Sequence, residues 1–517
     1  MKNIKFLSLI CILCIVFSLF TPILAVNRAP DDGPSPGEQA EDSAEDTGSA
    51  EPMTTSTDVY AGADVLSAPQ ITARNALLID MDTGVVYFSR DPDGRAYPAS
   101  LTKILTVLLA VEAVERGELD LKTEITAGDD CLEGMDQESS TAGIVPGETM
   151  TLENFLYCAM MSSANEACNV IATTVSGSIP AFVDRMNSRA KELGCTGSHF
   201  VNPHGMPDED HYTTASDLAK ITMEAMRHDL FVTLCNTISR IVPATNKSDT
   251  RELQNTNGLI NRNSIMYPGY YYEPAAGVKT GHTNAAGYCL VSTALKDDVH
   301  MMCIVLGSGS GTRDNGTTDF YNFTDTLTLY RWVFDNFSRQ TILGSTELVG
   351  SAPVELGSDT DSVSLRPQSE IVAVLPNGAS ISDYERKITV YSERDNTTVT
   401  APVYAGDVLG EISIEKDGVV YGTVPLVAAV DVELSRGAFL RTGLHAFFAH
   451  PIVLIILALA LGVIVLYIVM LVRYHKRQKA RKRAAARARR EARANKEHQA
   501  RDEIMRELTG ESRSRRS

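Results

Sequence analysis

The sequence predicts an α+β protein in which a helical block is combined with an antiparallel sheet, followed by a small all-β domain and a C-terminal transmembrane helix. Three observations predict this architecture. Residues 65–340 carry strand patterns on both sides of a helical stretch. Short alternating segments with frequent turn residues fill positions 345–435. An uncharged run of 22 residues then occupies positions 451–472.

The N-terminal segment has the composition of an export signal. A short basic start precedes an apolar run over residues 6–24, which ends at the small residue Ala25. This pattern predicts a signal peptide over residues 1–25, with an uncleaved membrane anchor as the alternative. Residues 26–64 are rich in Asp, Glu, Ser, Gly and Pro, a composition that buries too little apolar surface to offset ordering entropy. We expect a disordered acidic linker there.

Residues 65–340 alternate between strand and helix patterns. An apolar hairpin pattern covers positions 76–79 and 85–88, on either side of the turn residue Gly84. The next stretch, 100–117, is apolar on too many faces for a surface helix and predicts a buried one. Further helices are predicted at 152–161, 167–175 and 179–193, and two more strands at 288–294 and 301–306. A helical block is therefore inserted between strands of one sheet.

The apolar run near the C-terminus predicts how the chain meets a membrane. At helical rise, residues 451–472 are long enough to cross the hydrocarbon core. The tail, residues 473–517, holds 17 Lys+Arg and 6 Asp+Glu. The positive-inside rule then predicts a cytoplasmic tail and extracellular domains before the helix. We expect a single-pass protein of the cell membrane.

Charge separates the two predicted sides of the membrane. The tail is net +11 and the whole chain is −18, so the part before the tail carries −29. A surface this acidic repels polyanions, and we expect no nucleic acid partner for it. The basic tail is interpreted as a topology signal and solvated helix, with anionic lipid or nucleic acid binding as alternatives.

The cysteines indicate no metal site or disulfide framework. Two of the nine lie in the predicted signal peptide, which leaves seven. These seven contain no Cys-x-x-Cys pair, and several have apolar neighbours. We expect buried free thiols, with one or two disulfides as the alternative, and neither a metal nor a cofactor.

A serine and a lysine mark the start of the predicted buried helix. The stretch PASLTK places Ser100 and Lys103 on one helix face. A serine hydroxyl is a weak nucleophile until a base takes its proton, and lysine serves as that base only when burial or a nearby cation keeps it neutral. The spacing alone is not specific, because the chain contains it twice more. Two polar residues in a first helical turn are the alternative.

Two further segments supply the remaining chemistry. In SSAN, Ser163 is placed to pass a proton to a leaving group, and Asn165 to hydrogen-bond the lysine and a substrate amide. In KTGH, Lys279 and Thr280 form a cationic, hydroxyl-bearing strand edge that suits a substrate carboxylate. We expect Lys103 to be largely neutral, because its buried helix face and the cation of Lys279 both disfavour its charge.

Backbone groups complete the predicted site. Gly281 follows Lys279 and Thr280 and would let a substrate backbone approach the strand. The N–H groups of Ser100 and His282 would then form the oxyanion hole.

In this order and at these separations, Ser-x-x-Lys, Ser-x-Asn and Lys-Thr-Gly resemble the penicillin-recognising serine enzymes. The segments YPASLTKILT, MSSANEACNVIA, FVNPHGMPDEDHYTTASDLAKI and GVKTGHTNAAGYCLVSTA resemble the low-molecular-mass penicillin-binding proteins that are D-alanyl-D-alanine carboxypeptidases. The resemblance implies a β-lactamase/transpeptidase-like domain that removes the terminal D-alanine from peptidoglycan stem pentapeptides through an acyl-enzyme on Ser100. It also implies β-lactams as covalent inhibitors. Family members usually end in an amphipathic membrane-surface helix, which differs from the span predicted here.

Three other functions stay open at this point. A class A β-lactamase needs a Glu-x-x-Asn loop about 36 residues after Ser-x-Asn, and the corresponding stretch here is HFVN. A metallopeptidase would need a ligand set such as His199, His204, Asp210 and His211, but these residues form no His-Glu-x-x-His helix. A non-enzymatic receptor that senses peptidoglycan or β-lactams would have no use for Lys103.

Overall fold

The structure, a computed structural model, describes residues 68–137 and 139–510, without the side chains of 507–510. The predicted signal peptide, residues 1–25, and the predicted acidic linker, 26–64, lie outside the described residues.

The first domain alternates strands and helices. Its strands are β1 (Asn75–Asp80), β2 (Val86–Arg90), β3 (Glu124–Thr126), β4 (Thr149–Thr151), β5 (Ser239–Val242), β6 (Arg251–Gln254), β7 (Ala275–Thr283), β8 (Gly287–Lys296), β9 (Val299–Ser308), β10 (Ser310–Thr312) and β11 (Thr318–Phe320). Its helices are α1 (Lys103–Glu115), α2 (Leu152–Met161), α3 (Asn165–Ser176), α4 (Ile179–Glu192), α5 (Ala215–Ala225), α6 (Asp229–Asn236) and α7 (Tyr321–Asn336). A 3-10 turn, Ala99–Thr102, leads into α1.

The central sheet is antiparallel and has the strand order β2-β1-β9-β8-β7. All six residues of β1 are buried. Because successive side chains of a strand point to opposite sides of the sheet, both faces of β1 are covered. Leu77 and Ile79 pack into the core of the helical block, whereas Ala76 and Leu78 pack into a second core that includes α7. The strand β7 lies at the edge of this sheet, where its free side borders the helical block.

The helical block between β2 and β7 confirms the predicted inserted helices. The helix α1 lies at its centre, with ten buried residues among its 13, as its uniform hydrophobicity predicts. The structure also confirms the helices predicted near 152–161, 167–175 and 179–193. Two helices, α5 and α6, were not predicted from the sequence.

The second domain is all-β apart from one short helix. Its strands are β12 (Phe337–Leu343), β13 (Gly350–Glu355), β14 (Ser362–Pro367), β15 (Ile371–Pro376), β16 (Glu385–Val390), β17 (Val399–Thr400), β18 (Val408–Lys416) and β19 (Val419–Ala428), and its helix is α8 (Tyr391–Arg394). Six strands form one sheet in the order β16-β18-β19-β14-β13-β17, and β12 pairs with β15. Tyr87 of the first domain donates its hydroxyl proton to Val374 O at 2.6 Å, so the two domains share a packed and hydrogen-bonded boundary.

Two helices follow the β-rich domain, α9 (Arg436–Ala449) and α10 (Pro451–Gly510). The apolar part of α10 has a mean hydropathy of 3.3 over its most apolar window and is not buried by any described residue. Its length and composition are sufficient to cross a membrane. The helix continues without interruption into the basic tail.

Candidate active site

The proposed nucleophile lies in a strained turn. Ser100 belongs to the 3-10 turn that leads into α1, and the preceding Ala99 has a left-handed φ of 49°. The backbone of Gly205 packs against this turn, because a Cβ added at Gly205 would lie 1.8 Å from Ala99 O. Strained backbone of this kind persists only where the surroundings impose it, and it is frequent at functional sites.

Lys103 is fully buried and has three hydrogen-bond partners. Its Nζ lies 2.9 Å from Ser100 Oγ, 2.7 Å from Asn165 Oδ1 and 2.7 Å from His204 O. The last two are an amide oxygen and a carbonyl oxygen, which only accept hydrogen bonds. A neutral amine has two N–H donors and one lone pair. When both donors are used by these oxygens, the lone pair faces the hydroxyl of Ser100.

Burial lowers the pKa of Lys103 from 10.5 to about 8. The direction and the main cause, burial, agree with the prediction, whereas the charge of Lys279 is not among the causes. Cys168 and, to a smaller extent, Glu166 act in the opposite sense and raise the pKa. The prediction that Lys103 is largely neutral therefore holds only above about pH 8. Burial also holds the pKa of Lys279 well below its usual value, and the charge of Lys103 lowers it further.

Ser163 and Asn165 flank the start of α3. Ser163 has a left-handed φ of 58° and is buried, and its hydroxyl has no hydrogen-bond partner within the described part of the chain. Asn165 is the first residue of α3 and binds Lys103 through Oδ1. The turn therefore directs one residue to the base and leaves a buried hydroxyl available to a ligand.

The edge strand β7 brings the third motif beside the nucleophile. A Cβ added at Gly281 would lie 3.2 Å from Ser100 N, so strand and turn approach backbone to backbone. Thr280 Oγ1 lies 2.6 Å from Thr256 Oγ1, and the buried Lys279 Nζ donates to Thr280 O at 3.0 Å. His282 is exposed and stacks on Tyr288 with ring centroids 4.1 Å apart. All eight predicted site residues thus belong to the turn Ala99–Thr102, the start of α1, the start of α3 or β7.

Three contributors were missed by the sequence analysis. His204 supplies a carbonyl oxygen to Lys103 from 101 residues away, Thr256 partners Thr280, and Glu166 carries a buried carboxylate beside Asn165. The first acts through its backbone, which no sequence motif reveals. The second lies in a loop without a recognisable pattern, and only its adjacency to Asn165 could have drawn attention to Glu166.

The histidines of the metallopeptidase alternative have structural roles. Burial lowers the pKa of both His204 and His211 to about 3. His211 Nδ1 accepts from Val201 N, which leaves Nε2 to donate to Thr102 Oγ1 at 2.8 Å. His211 therefore supports the turn that carries the nucleophile.

A different group of side chains has the spacing of metal ligands. Glu112, Glu224 and His228 offer ligand atoms within 4.8 Å of one another. Arg189 already pairs with both carboxylates, at 2.9 and 2.7 Å. This group lies outside the set of residues that surround Ser100.

Arg313 lies in the loop between β10 and β11 and is a cation that could be considered for binding a substrate carboxylate. Its guanidinium pairs with Asp319 at 3.1 Å and lies over the ring of Tyr270 at 4.3 Å from the centroid. It is therefore a support of the Tyr270 region rather than an unpartnered cation.

Comparisons with known proteins agree on one similarity. A family model described as D-alanyl-D-alanine carboxypeptidase matches residues 63–310, and one described as penicillin-binding protein 5, C-terminal domain, matches residues 337–434. The D-alanyl-D-alanine carboxypeptidase DacF of Bacillus subtilis is 29% identical over 362 residues, which are 70% of this chain and 86% of that protein. The carboxypeptidase DacA of Escherichia coli K12 is 28% identical over 370 residues, 70% of this chain and 84% of that protein.

A solved structure shows the same similarity. Penicillin-binding protein 5 from Haemophilus influenzae aligns with a TM-score of 0.56 and 26% sequence identity, over 71% of this chain and 99% of that chain.

Proposed function

Because the chain belongs to the D-alanyl-D-alanine carboxypeptidase family and is a serine-type hydrolase of that activity, we propose that Ser100 is the nucleophile that removes the terminal D-alanine from peptidoglycan stem peptides. The domain responsible is proposed to span residues 65–340, with the β-rich domain over residues 345–435. The strand β12, which pairs with β15, crosses the boundary between these two ranges. The low-molecular-mass penicillin-binding protein fold provides the scaffold.

The hydrogen bonds of Lys103 carry this proposal. Two acceptors hold its N–H groups, so the neutral amine directs its lone pair at Ser100 Oγ, 2.9 Å away. The amine takes the hydroxyl proton as Oγ forms a bond to the carbonyl carbon of the scissile peptide. The negative charge that develops on the carbonyl oxygen is met by the backbone N–H groups of Ser100 and His282. The strand edge and the nucleophile are close enough for both to serve one oxygen.

Collapse of this intermediate breaks the peptide C–N bond. The leaving D-alanine amine needs a proton, which passes from Lys103 through the hydroxyl of Ser163. The buried hydroxyl of Ser163 has no partner among the residues that the structure describes. This supports the role, because such a group is costly until a ligand pairs with it. Water then attacks the ester carbonyl on Ser100 and Lys103 again takes a proton. The bond from the acyl carbon to Oγ breaks, Lys103 returns the proton to Oγ, and the shortened stem peptide leaves.

Substrate positioning is assigned to β7. The peptide backbone pairs with the free edge of the strand near Gly281, whose lack of a side chain lets β7 lie against the turn that carries Ser100. Its C-terminal carboxylate binds Lys279 and Thr280. A carboxylate beside Lys279 would also offset the burial that lowers the pKa of this lysine in the unliganded site. Asn165 would orient a substrate amide as well as the base. β-Lactams present the same carboxylate and carbonyl, so they acylate Ser100.

Two measurements test the nucleophile. Mass spectrometry after incubation with a labelled penicillin detects the covalent adduct, and an activity assay measures the release of D-alanine from a peptide ending in D-Ala-D-Ala. Ser100→Ala should lose both signals, with activity reduced by several powers of ten. Ser188→Ala is the matched control, because Ser188 also precedes a lysine by three residues but donates to Asp184 O on α4. An adduct that persists in Ser100→Ala would move the nucleophile elsewhere. Penicillin adducts that turn over rapidly would indicate a β-lactamase, and acylation without D-alanine release would indicate a receptor.

We further propose that α10 crosses the cell membrane once, with the catalytic domain outside and the basic tail in the cytoplasm. The apolar segment and the basic residues after it support this orientation. Protease added to intact cells should remove the catalytic domain and spare the tail. Cleavage of the tail instead would reverse the orientation.

A further inference from the structure

Glu166, the second residue of α3, is a fully buried carboxylate that has no part in the proton transfers described above. Its neighbour Asn165 holds the base Lys103. One of its two oxygens, Oε2, is buried and has no hydrogen-bond partner within residues 68–137 and 139–510. A buried carboxylate oxygen without a partner destabilises the folded state. Its presence next to Asn165 therefore suggests a functional reason.

The other oxygen, Oε1, ties a loop to the active site. It accepts three hydrogen bonds from this loop, at 2.7, 2.7 and 3.2 Å, from the Thr141 hydroxyl and the N–H groups of Ala142 and Ile144. The N–H of Asn165 adds a bond of 2.9 Å to Ser140 O. Residues 140–144, here called the clamp loop, are thereby attached to the first turn of α3.

The charge of Glu166 acts on Lys103, a cation that is not paired with another carboxylate among the described residues. The titratable groups that interact with Glu166 come from several elements, and they are Lys103, Cys131, Cys158, Cys168 and Arg251. Arg251 is already paired with Glu148 at 2.6 Å. The hydrogen-bond partners of Lys103 are a hydroxyl, an amide oxygen and a carbonyl oxygen, none of them charged. Lys279, on β7, also interacts with Lys103, because the charge of Lys103 lowers the pKa of Lys279.

We propose that Glu166 is a positioning residue with two effects on the reaction. Its Oε1 fixes the clamp loop against the turn that carries Ser163 and Asn165, and its negative charge sets how readily Lys103 gives up its proton. Cys168 raises the pKa of Lys103 more than Glu166 does, and the charge of Glu166 adds to this effect against that of burial, so the value stays near 8. Lys103 then remains basic enough to take the proton of Ser100.

Glu166→Gln separates charge from shape. The amide oxygen still accepts the three bonds of the clamp loop, and the amide NH₂ replaces Oε2, which has no donor to lose. In the full-length protein in detergent, the rate of Ser100 acylation by labelled penicillin should reach its plateau at a lower pH than in the parent. A purely structural glutamate would leave the midpoint of this pH profile unchanged.

Two matched variants complete the test. Glu166→Asp keeps the charge but withdraws the carboxylate from the clamp loop, so the midpoint should match the parent while the plateau rate falls about tenfold. Thr141→Val removes one of the three loop bonds and keeps the charge, so the midpoint should also stay. If Glu166→Gln fails to fold, Glu166→Asp still decides: a parental plateau rate overturns the positioning role. Parental midpoint and rate in both Glu166 variants overturn the proposal as a whole.

This inference rests on the proposed function, and the two fail differently. If penicillin does not acylate Ser100 in the parent, the nucleophile assignment is wrong. If the parent is acylated and the Glu166 variants behave like it, only the role of Glu166 is wrong.

Discussion

The pH dependence of acylation tests the assignment of Lys103 as the base. The perturbation is a change of pH from 6 to 9, which converts Lys103 from the ammonium to the neutral amine. Because only the neutral amine accepts the proton of Ser100, the acylation rate should follow the neutral fraction. The pKa of about 8 that burial imposes on Lys103 sets where this conversion occurs.

The structure provides the expected magnitude. With a pKa of about 8, Lys103 is about 1% neutral at pH 6, half neutral at pH 8 and about 90% neutral at pH 9. The rate should therefore rise roughly 90-fold from pH 6 to pH 9 and level off above pH 8. At the unperturbed value of 10.5, the neutral fraction at pH 7 would be about 300-fold smaller than at a pKa of about 8. That factor corresponds to about 3 kcal/mol in favour of the neutral base.

The assay is the second-order rate constant for covalent labelling by penicillin. It is measured at early times, before labelling is complete, and at constant ionic strength. Lys103→Arg is the control, because a guanidinium stays protonated at every pH used, so labelling should fall by several powers of ten and lose the midpoint near 8. Circular dichroism would check that this variant is folded. A parent profile that shows no ionisation below about pH 9.5 would refute Lys103 as the base.

Three further predictions follow from the same structure. Ser163→Ala should leave the free energy of unfolding unchanged or raise it by about 1 kcal/mol, because it removes a buried hydroxyl that has no partner among the described residues. D-alanine release should nevertheless fall about 10²- to 10⁴-fold; urea denaturation and a D-alanine assay check both, and a large loss of stability would contradict the unpaired hydroxyl. Gly205→Ala should lose about 3 kcal/mol or more because its Cβ would meet Ala99 O at 1.8 Å, whereas Gly84→Ala, at φ 75° with nothing within 4 Å, should lose about 1 kcal/mol in the same measurement. Burial of the thiols raises their pKa values from 9.0 to about 11 or 12, so the stability gained by keeping them protonated is complete below pH 9 and is lost as pH rises towards 11 or 12. The thiols concerned are those of Cys158, Cys168, Cys195, Cys235 and Cys289. Urea midpoints that stay constant above pH 9 would contradict this effect.

Local signals in the chain were sufficient for much of the fold. Uniform hydrophobicity identified α1 as buried, and short apolar runs on either side of a turn identified the strands β1 and β2, because these patterns depend on residues close in sequence. The helices α5 and α6 escaped notice because they lie among turn residues and polar side chains. The seven mature cysteines were expected to be free and buried, and the structure agrees.

The mechanism of the pKa shift could not be read from sequence. The prediction assigned part of the effect on Lys103 to the charge of Lys279, but desolvation dominates and Glu166 opposes it. Electrostatic effects depend on distance and on exclusion of water, and both arise from packing between distant segments. Sequence spacing carries no information on either.

The sequence by itself determined the family resemblance, the order of the three motifs and the apolar segment of α10, because each depends on residue types at short spacing. Only the tertiary structure decided what surrounds Lys103. His204 contributes a backbone carbonyl from 101 residues away, and Gly205 holds Ala99 in a left-handed turn. Backbone groups carry no residue-specific signature, and loop closure over such separations is governed by the packing of the whole domain. The chain thus specifies its reactive groups locally, whereas the folded domain sets the position and protonation of its base.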